Sequence, residues 1–420
     1  MSGKFQKPRG TIDILPKDIA IWHKIEETAR KICKKYGFEE IRFPTFEQID
    51  LFQRGVGNTT DVVQKEMYTF SDKEGRQFAL RPEGTACIVR SIIENGKCSD
   101  AMPLKLYYLI NCFRYEKPQA GRSREFYQFG TELFGAESAS ADAEIISLAH
   151  EFITALGICG VRLHINSIGC KECRPLYHRA LKDYFEARRD TLCQTCRERL
   201  DKNPLRILDC KNPECTAIAD GAPKTIEHLC PSCAEHMKQL QEALELLNIP
   251  YVIDPKIVRG LDYYTRTVFE FIAEGIGAQS TVCGGGRYDG LVSELGGPAL
   301  SGIGFAMGIT RLIEAMAQSG VPQLPPEHPL IYIASVGKTA ALRALAIVQR
   351  LRAEGIWAEC DIVGRSLKAQ MKYADKTGAV YTLVLGDEEV EKGVGILKNM
   401  SSGEQTSVSL NTFSLNVLKV

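Results

Sequence analysis

The sequence has no run near the ~18 consecutive apolar residues that a membrane-spanning helix needs. Its opening, MSGKFQKPRG, has no apolar stretch of the kind that directs secretion, so a cytoplasmic location is expected. It has no charge excess either, with Lys plus Arg and Asp plus Glu both at 52. A chain without a basic surplus does not hold polyanions by net charge, so any nucleic-acid contact must be local. Internal repeats and low-complexity tracts are absent, which excludes a solenoid. Two common phosphate grips are missing as well. Gly337-Lys338-Thr339 lacks the leading glycine of a P-loop, because position 332 is Tyr. GIGFAMG at 302–308 spaces its glycines G-x-G-x-x-x-G, which does not fit the dinucleotide fingerprint. A nucleotide user built on this sequence must hold phosphate another way.

What is there is an ordinary globular composition, 44% apolar and 25% charged over 420 residues, with room for two or three domains. Ile19, Trp22, Ile25, Ala29, Ile32 and Tyr36 recur at helical spacing between Asp18 and Gly37, which predicts an amphipathic helix. FEEIRFPTFEQ reads as a strand interrupted by Pro44, a residue that belongs at a sheet edge or boundary. QFALRP, LKLYYLINCFRYE, EFYQFGTELFG, RLHINSIG and VFEFIAEG read as further strands, with a helix over 138–157. A glycine-rich turn is expected at GGGRYDG, and GIGFAMGITRLIEAM reads as a strand running into a helix. From about 170 to 250 charged helices and cysteine pairs suggest an inserted module. VPQLPPEHP, with four prolines in nine residues, predicts a semi-rigid linker. A first domain over residues 1–325 would thus precede a second domain over 330–420, where LIYIASV, WAECDIV and VYTLVLG alternate with helical stretches in a small α/β unit. The fold class expected is α+β.

Arginine is the obvious phosphate grip, since its planar fork makes bidentate bonds to phosphate and carboxylate oxygens. FRYEKPQAGRSREFYQFGTE places Arg114 and Glu116 at the end of one strand and Arg124 and Phe126 at the start of the next. Antiparallel pairing across that loop would aim several cations into one cleft. Acceptors for a cationic ligand accompany them: Glu83 in RPEGT, beside Gly84 and Thr85, and Gln128 with Glu132, four apart and so on one face of a strand. Tyr263 and Tyr264 in GLDYYTR read by default as core aromatics, but Arg259 just before them argues against an apolar burial.

With these residues in view, FRYEKPQAGRSREF resembles motif 2 of the class II aminoacyl-tRNA synthetases, GIGFAMGITRL resembles motif 3, and the segment around Pro44 resembles motif 1. VRGLDYYTRTVFE and GGGRYDGL resemble the two histidine-specific signatures of histidyl-tRNA synthetases. The resemblance spans nearly the whole chain. It implies an antiparallel sheet flanked by helices, a helical Cys-rich insertion and a C-terminal anticodon-binding domain. It implies a two-step joining of histidine to tRNA(His), with ATP and Mg2+ used to form histidyl-adenylate, and a homodimer. Arg114 and Arg259 would flank the α-phosphate and carboxylate, and Arg311 would hold the nucleotide. Glu116 would read the adenine amino group and Phe126 would stack on its ring. Glu83, Gly84, Thr85, Gln128, Glu132, Arg259, Tyr263 and Tyr264 would form the histidine pocket. Gln119, Arg122 and Arg124 would meet the tRNA acceptor end. A regulatory paralogue that binds histidine without charging tRNA is a rival reading, as is a class II synthetase for glycine, threonine or proline. The three arginines and the C-terminal domain weigh against the first, and the histidine signatures against the second.

Of the fifteen cysteines, eight fall in pairs: Cys170/Cys173, Cys193/Cys196, Cys210/Cys215 and Cys230/Cys233. The spacing suits tetrahedral zinc, with His228 and His236 as possible substitute ligands. The family resemblance requires no zinc, so a structural zinc and a set of small buried thiols both stand as readings.

Overall fold

The computed structural model describes residues 5–57, 60, 62–119, 121–208, 210, 212–257, 261–273, 281–322, 325 and 327–414. The first helix, Ile19–Lys35, buries Trp22, Ile25, Ala29 and Ile32 on one stripe and ends before Gly37, whose φ of 75° needs glycine. Four short strands follow: β1 (Glu39–Glu40), β2 (Phe46–Gln48), β3 (Thr69–Ser71) and β4 (Gln77–Leu80). Pro44 falls between β1 and β2, and the two strands belong to different sheets. The long strands β5 (Leu104–Phe113) and β6 (Glu125–Phe134) pair antiparallel. Beyond them lie β7 (Val161–Ser167), β8 (Tyr251–Ile253), β9 (Thr265–Ala273), β10 (Thr281–Arg287) and β11 (Gly302–Gly308).

These build an eight-stranded sheet in the order β1-β5-β6-β11-β10-β9-β7-β8, largely antiparallel, and β2-β4-β3 form a smaller sheet. Alternation decides which side chains face which layer. Tyr107, Phe129, Leu133, Phe269, Phe271, Ile303 and Phe305 face a helical layer that includes Ile19–Lys35, Ala139–Ala155, Pro231–Leu246 and Ile309–Gln318. Leu106, Tyr108, Ile110 and Cys112 face the other way, towards the helix Thr85–Glu94. Gln128 and Glu132 share that second face.

GGGRYDG is not the turn its glycines suggest. Gly284, Gly285 and Gly286 lie within β10, where a Cβ on Gly285 would stand 2.3 Å from the Gly304 carbonyl and 2.5 Å from the Phe269 ring. Close cross-strand packing, not turn geometry, is what excludes a side chain there. The following Arg287 is fully buried and paired with the buried carboxylate of Asp142 from the helix Ala139–Ala155. It also donates to the carbonyls of Ala136 at 2.9 Å and Ser138 at 3.2 Å and to Asp289 at 3.1 Å. His236 closes the set, its Nε2 lying 2.7 Å from Asp142.

Between β7 and β8 the chain forms a helical module with its own core of Tyr177, Leu181, Phe185, Leu192, Leu200 and Ile207. The helix Pro231–Leu246 that follows instead buries Met237, Leu240 and Leu244 in the main core.

Contacts divide the chain into two units, Met1–Leu324 and Pro325–Val420. In the second, β12 (Ile331–Val336) lies parallel to β13 (Ala358–Cys360) and β14 (Tyr381–Gly386). Ile331 and Ile333 pack with the helix Lys338–Ala353, while Tyr332 and Ala334 pack with Ala374 of the helix Leu367–Thr377. Burial on both faces is what a continuous apolar run such as IYIA provides in a parallel sheet. A hairpin of β15 (Val394–Asn399) and β16 (Gln405–Ser409), turning at Gly403, adds an antiparallel edge that the sequence reading did not identify.

Burial alone would raise the Asp142 pKa, but His236 and Arg287 outweigh it and hold the carboxyl below its usual range. Asp142 is therefore charged in the folded state at neutral pH. Asp142→Ala would leave Arg287 buried without its counter-ion and should destabilise the protein by about 3–5 kcal/mol. Urea unfolding measures this; a midpoint equal to the parent's would show that the pair is dispensable.

Candidate active site

A cavity of about 550 Å³ opens on the face of the main sheet that carries Gln128 and Glu132. Its deep end is built around Glu132, which is fully buried on β6. Thr85 Oγ1 donates to Glu132 Oε1 at 2.8 Å and Tyr108 OH donates to the same oxygen at 3.3 Å. Tyr288 OH donates to Oε2. Glycines make this geometry possible. Gly130, directly across from Tyr108 in the ladder, and Gly84 would each drive a Cβ into the Tyr108 ring, at 2.4 and 2.5 Å. A Cβ on Gly304 would meet Glu132 Oε2 at 1.8 Å. Tyr263 and Tyr264 are both buried and line the same cavity, with ring centroids 4.7 Å apart.

Burial pushes the Glu132 carboxyl up to about 8, with Glu83 adding to the rise and the Tyr288, Thr85 and Tyr108 hydrogen bonds opposing it. Burial also raises Glu83, although it accepts amide bonds from Thr85 and Ala86, each at 2.8 Å. Tyr108, Tyr263 and Tyr288 are raised well above a free phenol, first by burial, and so remain protonated. Two acids and three phenols in one desolvated space recognise a cationic or polar ligand, not an apolar one.

The mouth has the opposite sign. Arg114 donates through Nε to the Pro82 carbonyl at 2.9 Å, and its guanidinium carbon lies 5.3 Å from the centre of the Phe126 ring. Arg311 donates to the carbonyls of Gly121 at 3.2 Å and Thr281 at 3.0 Å, which aims its guanidinium along the cleft. Arg122 pairs with Glu116 at 3.2 Å. Burial lowers the Arg311 pKa and the neighbouring Arg122 and Arg114 lower it further. Three cations gathered in a partly buried cleft make a site for a multivalent anion.

Glu83, Gly84, Thr85, Arg114, Glu116, Arg122, Phe126, Gln128, Glu132, Tyr263, Tyr264 and Arg311 all line this one cavity. Gln119 and Arg124 do not. Gln119 bridges to Arg122 in the loop, and Arg124 stacks on Tyr115 at 3.9 Å and donates to the Glu116 carbonyl. Arg259 lies outside the described residues. Sequence reasoning missed Tyr108 as a site residue, because in LKLYYLINCF it is indistinguishable from the core aromatic Tyr107. Tyr288 was present in GGGRYDG, and its signal was a polar aromatic next to a run of glycines.

Elsewhere in this unit, the eight paired cysteines assemble as two sets of four: Cys170, Cys173, Cys230 and Cys233, and Cys193, Cys196, Cys210 and Cys215. Within each set the sulfurs lie within 4.8 Å of one another. Neither candidate histidine joins them. His236 is taken by Asp142, and His228 Nδ1 lies 3.1 Å from the Lys224 carbonyl.

A glycine-lined antiparallel sheet bearing an arginine-edged cleft beside an acidic, phenolic pocket defines a nucleotide-using enzyme that acts on a small polar substrate. Residues 10–312 match the histidyl-tRNA synthetase family model and residues 331–419 match an anticodon binding domain. A histidine–tRNA ligase of Acetivibrio thermocellus is 54% identical over 97% of this chain and 98% of its own length. One from Desulforudis audaxviator is 51% identical over 96% of each. The apo crystal structure of the S. aureus histidyl-tRNA synthetase superposes with a TM-score of 0.82 at 39% identity, covering 97% of this chain and 98% of that one. The chain belongs to the histidyl-tRNA synthetase family.

The raised Glu132 pKa has a consequence for stability. An unfolded glutamate loses its proton near pH 4.3, whereas the folded state keeps it up to about 8. Stability from this group is therefore fully present below the unfolded value and is lost as pH rises towards 8. Relative to Glu132→Gln, the parent should lose urea stability between pH 5 and pH 8. Parallel profiles for the two proteins would contradict the assignment.

Proposed function

We infer that the chain is a histidine–tRNA ligase that activates L-histidine with ATP as histidyl-adenylate, releases pyrophosphate, and transfers histidine to tRNA(His) with release of AMP, for use in translation. The observation that carries this reading is a single cavity with a carboxylate and phenol pocket at one end and arginines at the other. A zwitterionic amino acid fits that polarity: its ammonium and imidazole meet acids and phenols, and its carboxylate points to the cations.

In the first step the histidine carboxylate oxygen attacks the α-phosphorus of MgATP, and the bond to pyrophosphate breaks. The enzyme needs no nucleophile of its own; it holds the two reactants in line and opposes the charge that builds on the phosphoryl group. Arg114, braced on the Pro82 carbonyl, and Arg259 supply that charge. Arg311 holds the nucleotide, Glu116 reads the adenine amino group and Phe126 stacks on its ring. Glu83 and Gln128 take the ammonium, and Glu132 with its tyrosines takes the imidazole. An analogue that left those buried groups unpaired would be rejected by about 10⁴-fold or more. In the second step a terminal tRNA hydroxyl attacks the anhydride carbonyl and AMP leaves. Neither cysteine tetrad is among the residues that line the cleft, so a zinc there would be structural and would take no part in this chemistry.

The loop from Lys117 to Arg124 meets the acceptor end through Gln119, Arg122 and Arg124, and residues 330–420 read the anticodon. That stretch holds eleven Lys plus Arg and nine Asp plus Glu, so placement of individual side chains, more than net charge, supplies binding. A homodimer is part of the reading. The small sheet β2-β4-β3 leaves Phe46 and Phe70 exposed beside Phe78, an aromatic cluster suited to burial against a second copy. No helix among the described residues is long and apolar enough to cross a membrane, and a cytoplasmic site of action suits a translation enzyme.

Pyrophosphate exchange with each of the twenty amino acids tests the specificity, and histidine should be the one that supports it. Arg259→Ala is expected to fold normally yet retain almost no histidine-dependent exchange; near-normal exchange would refute its role. Removing residues 330–420 should reduce tRNA charging far more than adenylation, and equal loss of both would refute the division of labour. The charging assay also separates this reading from a regulatory protein that binds histidine without aminoacylating tRNA.

A further inference from the structure

We propose that the inserted module binds two zinc ions, one in each four-cysteine set, and that the outer ion pins the module's root to the strand entry carrying Tyr263 and Tyr264. The spacing of the sulfurs carries the first part. Four thiolates at about 2.3 Å from a zinc at tetrahedral angles stand about 3.8 Å from each other. Cys170 Sγ lies 3.7 Å from Cys173 Sγ and 3.8 Å from Cys230 Sγ, and Cys193 Sγ lies 3.9 Å from Cys210 Sγ. A disulfide would bring two sulfurs to about 2.05 Å, and all fifteen cysteines are free.

The two sets also share a plan of backbone support. In the outer set the Glu172 amide donates to Cys170 Sγ at 3.4 Å and the Cys230 amide to Cys173 Sγ at 3.1 Å. In the inner set the Asn212 amide donates to Cys210 Sγ at 3.5 Å and the Cys193 amide to Cys215 Sγ at 3.3 Å. Each set thus has one amide from two residues downstream and one from across the site. Amides aimed at sulfur stabilise thiolates, the form that binds metal, and such support around the ligands is how metal sites are oriented.

The module needs such staples. Its core is a small cluster that includes Cys196 and Cys215 themselves, and a short segment with so few buried residues gains little from apolar burial alone. The order of the ligands fits that purpose. Cys170 and Cys173 stand where the chain leaves β7, and Cys230 and Cys233 where it returns through the helix Pro231–Leu246, so the outer set clamps the two ends of the insertion. Cys193, Cys196, Cys210 and Cys215 close a second loop inside the first.

The outer set borders the pocket strand directly. Next to Cys170, the Ile168 amide donates to the Arg266 carbonyl at 2.8 Å and the Arg266 amide donates to the Gly169 carbonyl at 2.9 Å. Next to Cys173, the Arg174 guanidinium donates to the Tyr264 carbonyl. A rigid clamp at Cys170 and Cys173 therefore holds the backbone that presents Tyr264 to the cavity.

The test uses the full chain, purified reduced and without chelators. Elemental analysis should find two zinc ions per chain, falling to one in Cys193→Ser/Cys210→Ser and to one in Cys170→Ser/Cys230→Ser. Less than one zinc per chain, with eight thiols open to a thiol reagent, would overturn the proposal, and so would a parent that holds one ion and loses it in either double variant. Should the variants fail to fold, the parent grown with cobalt should show the visible absorption of tetrahedral cobalt thiolate at two equivalents per chain, and its absence would be equally decisive. For the clamp, Cys170→Ser/Cys230→Ser should raise KM for histidine several-fold with a smaller change in kcat for adenylation, while Cys193→Ser/Cys210→Ser leaves KM nearly unchanged. An unchanged KM in the outer variant would refute the clamp. That arm rests on the histidine-binding reading and the metal content does not, so failure of one is distinguishable from failure of the other.

Discussion

The buried pair of Arg287 with Asp142 is the constraint on which the rest of the catalytic unit depends. β10 reads TVCGGGR, and three consecutive glycines give a strand no side chains with which to grip its neighbours. Gly285 and Gly286 are there because Gly304, Phe269, Thr267 and Tyr264 come too close for a Cβ. The strand's position must then be set at its end, and Arg287 does this with a guanidinium whose donors reach Asp142, Asp289 and two carbonyls. The next residue is Tyr288, which donates to Glu132. A buried ion pair is a poor source of net stability compared with well-packed apolar residues, but it is intolerant of displacement. Here it fixes the end of β10, next to the tyrosine that reaches Glu132.

His236 extends the same network into the inserted module's exit helix, since it holds the far side of the Asp142 carboxylate. Arg174 and Arg206 do the same from within the module, reaching the Tyr264 carbonyl and, at 3.2 Å, the carboxylate of Asp262. The segment Leu261–Arg266 is thereby held from two sides, by β10 and by the module. An insertion between β7 and β8 could have been a passive appendage. Its polar contacts instead converge on the residues that shape the pocket.

Much of this was legible in the sequence, and the exceptions share a cause. Period-two and period-3.6 patterns located β5, β6, β9, β11 and the helix Ile19–Lys35 because those signals are local. GGGRYDG was misread as a turn because glycine's local meaning is punctuation, whereas its reason here is the Gly304 carbonyl and the Phe269 ring on adjacent strands. Tyr108 was invisible for a related reason: only the pairing of β5 with β6, which sets it opposite Gly130, turns a core-like tyrosine into a donor to Glu132. The cysteine pairs were plain, but not which pairs share a site, because that depends on how the module folds back to its own root. Arg114, Arg311, Glu83, Thr85 and Gln128 were found through resemblance and residue chemistry together, and one cavity holds them all. Arg259 was expected in the same way, and it lies outside the described residues.

The polarity of that cavity also explains why a fully buried glutamate is tolerated. In the free protein Glu132 avoids the cost of an isolated buried charge by keeping its proton to about pH 8. Its carboxyl therefore sits ready for either role, protonated in the free protein, or ionised, with the hydrogen bonds from Thr85, Tyr108 and Tyr288 favouring that form, when a ligand brings a compensating N–H. In the proposed reading, an imidazole would supply that donor in a rigid ring. An apolar side chain would fill the same space and leave the acid and its phenols with no partner. In the proposed reading, recognition would then follow from what the pocket would lose with the wrong ligand.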